Sequence, residues 1–95
     1  MAVAFRGFGS SPQLISGPVT GDPASVSAAS VGTVSLTVPG ALPDMHFIVT
    51  APSLSANLAI GGSYCTTAGT VVVRLVNPTA SPVDDASQSF YVIGL

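Results

Sequence analysis

"TVVVRLVNPTASPVDDASQSFYVI", residues 70–93, sets an apolar run around one arginine, then a loop of Pro, Ser and paired Asp, then a second apolar run. Successive side chains of a strand point to opposite faces. Residues 70–77 therefore put Val71, Val73 and Leu75 on one side and Val72, Arg74 and Val76 on the other. "NPTASPVDDAS" supplies the turn formers that end the strand, and "QSFYVI" supplies another. Arg74 interrupts a β-prone apolar stretch that would otherwise be an aggregation hazard. It reads either as such a gatekeeper or as a subunit-interface residue paired with an Asp across a boundary.

The same period of two extends outward. "VGTVSLTVPG", residues 31–40, alternates Val34, Leu36 and Val38 with Thr33, Ser35 and Thr37, a half-buried strand stopped by Pro39 and Gly40. "MHFIVTAP", residues 45–52, places Phe47 and Val49 against His46, Ile48 and Thr50. Apolar residues on both faces predict a strand that is central in a sandwich or covered by a neighbour. "NLAIGGSYC", residues 57–65, predicts a strand bent at Gly61 and Gly62, and Ala68 and Gly69 turn it into the strand from Thr70. No amphipathic helical window is present. The pattern predicts an all-β fold, a small antiparallel β-sandwich over residues 30–95. Residues 1–29, with Pro12, Gly17, Pro18, Gly21 and Pro23, predict an extended N-terminal arm with at most a short strand near residues 13–20.

Ninety-five residues hold one modest core. Charged residues are 6% of the chain and hydrophobic ones 47%, with a mean hydropathy of +0.66, where about 25% charged is usual. Four Asp stand against Arg6 and Arg74, giving a net charge of −2 and no basic footprint for nucleic acid. No run approaches the roughly 20 apolar residues of a spanning helix, so no membrane partner is expected. "MAVAFRGFGSSPQL" lacks a sustained apolar stretch after its arginine, which predicts no secretory signal. A surface this poor in charge is either a neutral Ser/Thr surface or one covered by partner subunits; the second reading is preferred. Phe5 and Phe8, flanking Arg6 and Gly7, are aromatics suited to docking on a partner or folding back on the sheet.

Most catalytic arrangements fail on inventory. His46 is the single histidine and Cys65 the single cysteine, too few with Asp for a zinc centre, and no disulfide can form within the chain. A Cys–His dyad or Ser–His–Asp triad would rest on His46 without any local motif. Asp44, two before His46, reads as part of the turn after Pro43. Asp84 and Asp85 read as a solvated turn before a cation site. No catalytic residue, metal or cofactor is expected, and a hydrolase using His46 is the rival from another class.

"VSLTVPGALPDMHFIVTAP" (34–52) followed by "GGSYCTTAGTVVVRLVNPTASPVDDASQSFYVI" (61–93) resembles the small β domains of tailed-phage virions, both head decoration (cement) proteins and fibre modules. In that pattern a strand ending in TVPGA, a GD-type turn, an apolar strand and a TVTVRxxNxT strand precede a D-containing loop and a final strand. The likeness spans roughly residues 31–93; Pro43 and Asp44 stand where the pattern has Gly and Asp. It implies a structural virion protein, made in the host cytoplasm and placed on the capsid exterior, that binds the major capsid protein and bridges capsid subunits as a homo-oligomer, a trimer or dimer. Phe5, Arg6 and Phe8 are then the expected capsid-binding residues, with His46 and Arg74 at subunit interfaces. The alternative is a phage fibre or receptor-binding module.

Overall fold

The computed structural model describes residues 14–95. Six strands follow one another: β1 (Leu14–Gly21), β2 (Ser30–Thr37), β3 (Phe47–Thr50), β4 (Ala59–Thr67), β5 (Thr70–Asn77) and β6 (Gln88–Gly94). They form two three-stranded antiparallel sheets, ordered β1-β6-β3 and β2-β5-β4, packed face to face as a β-sandwich. The two runs of the 70–93 stretch are the central strands of different sheets. That explains why both are apolar over most of their length.

The expected alternation is observed. Val71, Val73 and Leu75 of β5 are completely buried, as are Phe90 and Val92 of β6. Val34 and Leu36 of β2, Val38 beyond it and Val49 of β3 complete the core with Val26, Leu58 and Cys65. The opposite rows of β2 and β5, Thr33, Ser35, Thr37 and Arg74, are exposed. Ladder register is continuous along β2 and β5, from Ser30 opposite Asn77 to Thr37 opposite Thr70.

Gly61 and Gly62 do bend β4: the β4–β5 register shifts between Ile60 and Gly62. The hairpin at Ala68–Gly69 needs its glycine, because Gly69 takes φ of 87°, a conformation L side chains resist. Gly21 is required for another reason. A Cβ there would lie 2.7 Å from both Leu36 Cδ2 and Phe90 Cε1, so the core closes on bare backbone.

Two points of the expectation are refined. Of the two readings of residues 45–52, central strand or covered strand, the first does not hold: β3 is an edge strand, and Ile48 on its outer side is 57% exposed. The sandwich also reaches back past residue 30. β1 pairs with β6 over Leu14–Gly21, its register shifting between Ser16 and Val19, and Val26 is buried in the core. Gly17 and Pro18 are tolerated because they sit in that irregularity on an edge strand. The expected docking residues Phe5, Arg6 and Phe8 lie outside the described residues.

The connections that cross between sheets are pinned by polar bonds. Asn77 is completely buried. Its Nδ2 shares two hydrogens among the carbonyls of Val26 (3.0 Å), Ser27 (3.2 Å) and Ser81 (2.8 Å). Its Oδ1 accepts from Thr79 N (3.0 Å) and Thr79 Oγ1 (2.7 Å). Val26 and Val83 exchange backbone bonds of 2.8 and 3.0 Å beside it. The link from β1 to β2 is thus tied to the link from β5 to β6. Replacing Asn77 by Ala strands several buried polar groups, and we expect a loss of about 3 kcal/mol in urea unfolding. Gly21→Ala is expected to cost about 1–3 kcal/mol through overpacking, read as a lower melting temperature with unchanged circular dichroism at low temperature.

Candidate interaction surfaces

Period-two alternation that buries one row of each central strand must present the other row outward. The outer face of the β1-β6-β3 sheet carries an apolar strip beside exposed Thr20, Thr50 and Ser89. Tyr91 and Ile93 of β6 are each 42% exposed, and Leu95 just beyond it is 49% exposed. Ile48 stands directly opposite Ile93, and Thr50 opposite Tyr91. The pairing runs one step further, since His46 and Leu95 exchange backbone bonds of 2.9 and 2.8 Å. Exposed His46 therefore marks one end of an uncharged strip made by Ile48, Tyr91, Ile93 and Leu95.

The outer face of the β2-β5-β4 sheet is different. Its β2 row is hydroxyl-bearing, Thr33, Ser35 and Thr37, below exposed Val31. On β5 the Arg74 guanidinium carbon lies over the Tyr64 ring, 4.5 Å from its centroid. Tyr64 pairs with Val72 and Gly62 with Arg74, so the ring and the cation meet diagonally across β4 and β5. A solvent-exposed cation over a ring is worth about 0.5–1 kcal/mol, and here exposed Arg74 lies over half-buried Tyr64.

His46 and Arg74 consequently stand on different sheets, and the structure does not bring them together. The remaining chemistry-bearing side chains are occupied or separate. Cys65 is buried, its Sγ donating to Thr67 O at 3.1 Å. Asp44 lies in the turn before His46, where Met45 N donates to Leu42 O at 3.1 Å. Asp85 Oδ2 accepts from Ser55 N at 2.8 Å and from Gln88 Nε2 at 3.1 Å, fastening the β3–β4 connection to the loop before β6. Asp84 beside it is exposed. No group of three His, Cys, Asp or Glu able to hold a metal ion occurs among the described residues. No helix of the described residues is long and apolar enough to cross a membrane.

Sequence alone does not mark Tyr91, Ile93 and Leu95 as a site. Their signal was the apolar occupancy of both parities in "FYVIGL", the same feature that drew attention to Ile48. Tyr64 as the partner of Arg74 had no local signal, because it depends on a register shifted by the Gly61–Gly62 irregularity.

Fold and surfaces together define an all-β sandwich whose outward features are faces and edges. No protein-family model, curated protein or solved structure matches the chain. Arg74→Ala is expected to change thermal stability by no more than about 1 kcal/mol, while the fluorescence of Tyr64 loses its perturbation by the cation.

Proposed function

We propose that the chain is a non-enzymatic structural component of a phage virion, a decoration protein that sits on the capsid exterior and bridges major capsid protein subunits. The observation that carries this reading is the strip of Ile48, Tyr91, Ile93 and Leu95 on one sheet face. Four large apolar side chains, adjacent and 42–57% exposed, stand on one side of the sandwich of a chain of only 95 residues. A contiguous apolar patch of this kind marks a contact surface. The resemblance of residues 34–52 and 61–93 to phage β domains supplies the class of partner in this reading.

The mechanism is mechanical. Each copy lays its apolar strip across neighbouring capsid subunits, so separating them re-exposes that area to water and costs about 25 cal/mol per Å². The arm that carries Phe5, Arg6 and Phe8 adds a second contact in this reading. His46 sits at the rim of the strip, whereas Arg74 faces away from it and is left for lateral neighbours.

Quantitative mass spectrometry of purified particles from the source tests the role. A copy number comparable with that of the major capsid protein is expected; a few copies per particle would move the chain to a fibre or vertex, and none would end the virion reading. Ile93→Asp places a charge at the centre of the strip and is expected to weaken capsid binding about tenfold or more without unfolding the domain. Deletion of residues 2–11 is expected to remove the arm's contribution, and unchanged binding would show that the arm is not used.

A further inference from the structure

Among the described residues each of the two sheets ends in two edge strands, and three of these four edges carry devices that obstruct pairing with another chain. β1 has Pro18 within its irregularity between Ser16 and Val19. β3 is only four residues long, with Pro43 before it and Pro52 after it. β4 is interrupted twice, between Ile60 and Gly62 and between Tyr64 and Thr67. Short strands, prolines and bulges are the ordinary means of protecting an edge.

β2 has none of them. It runs for eight residues, Ser30–Thr37, in unbroken register with β5, with no proline and no charged residue. Val38 N donates to Gly69 O at 2.8 Å, which fixes the parity of the ladder just beyond the strand. Alternation in an antiparallel pair then turns the backbone groups of Val34 and Leu36 toward β5 and those of Val31, Thr33, Ser35 and Thr37 toward the side on which no strand of the described residues pairs with β2. The side chains of the same four residues are exposed on the outer face, Val31 at 58%.

We propose that the β2 edge is a pairing site for the β2 edge of a second copy of this chain, joining two three-stranded sheets into one of six strands about a two-fold axis. The occupant follows from self-complementarity. In an antiparallel β2–β2′ pair, an even register brings Thr33 and Ser35 opposite one another or Thr33 opposite itself, and Thr–Thr and Thr–Ser are favourable cross-strand neighbours. No like charges meet, because β2 carries none, and a net charge of −2 gives little long-range repulsion between copies. A two-fold contact of this type closes on itself and does not propagate, since β2 is used up on both partners and the other edges are obstructed. The proposal is independent of the virion reading and of the apolar strip, which lies on the other sheet.

Sedimentation velocity of the full chain, with hydrogen exchange at the same concentrations, tests it. A dimer is expected, with the amides of Val31, Thr33, Ser35 and Thr37 gaining protection as dimer forms. Thr33→Lys sets like charges against each other across the axis, and Ser35→Pro removes an edge N–H without breaking a β2–β5 bond; both are expected to give folded monomers. Ile93→Lys, on the opposite sheet, is expected to leave the dimer intact. A monomeric wild type, a dimer indifferent to Thr33→Lys and Ser35→Pro, or a dimer dissociated by Ile93→Lys would each overturn the assignment. Capsid copy number is read separately, so failure here leaves the decoration role to its own test.

Discussion

The two sheets are separate ladders, with order β1-β6-β3 in one and β2-β5-β4 in the other. What keeps them in one relative position is the core between them and the polar pinning of the chain where it crosses. Asn77 is the centre of that pinning: one buried amide engages residues 26 and 27 ahead of β2 and residues 79 and 81 after β5. A buried amide with all its partners satisfied is specific in direction, whereas apolar packing alone permits sliding. Asp85, reaching Ser55 N, repeats the device between the β3–β4 and β5–β6 connections. The buried Asn77 and half-buried Asp85 stand at crossings, and the alternating Val, Leu and Phe residues fill what lies between.

This division explains the low charge without requiring a special environment for folding. Buried rows supply the hydrophobic driving force, hydroxyls cover one outer face, and the apolar remainder is concentrated on the other. Arg74 is held over Tyr64, so the single Lys or Arg among the described residues lies against its own sheet. The hazard that a β-rich, charge-poor chain poses is met mainly by backbone irregularity: a proline in β1, a short β3 and two register shifts in β4.

Legibility from sequence followed the range of the forces involved. β2 and β5 could be read almost to the residue because one face is buried and the other solvated, which writes the period of two plainly. The bend at Gly61–Gly62 and the Ala68–Gly69 hairpin were legible because turn chemistry is local. β1 was harder, since Gly17 and Pro18 interrupt it and only pairing with β6 shows how an edge strand accommodates them. The edge position of β3 is not legible for a related reason: apolar residues on both faces of a strand indicate a second contact, but the strand's place in the sheet is set by pairing with residues more than forty positions away. Asn77 was visible only as a turn former. Its buried role depends on carbonyls fifty positions earlier, which no local pattern announces.

The single thiol has a use that follows from its position. Cys65 sits buried on β4, hydrogen-bonded to Thr67 O, one turn away from the hairpin into β5. A thiol-specific reagent can react there only when β4 separates from the opposing sheet. Labelling kinetics of the unmodified chain would thus act as a built-in clock for local opening, registering the breathing of one sheet against the other without any engineered probe.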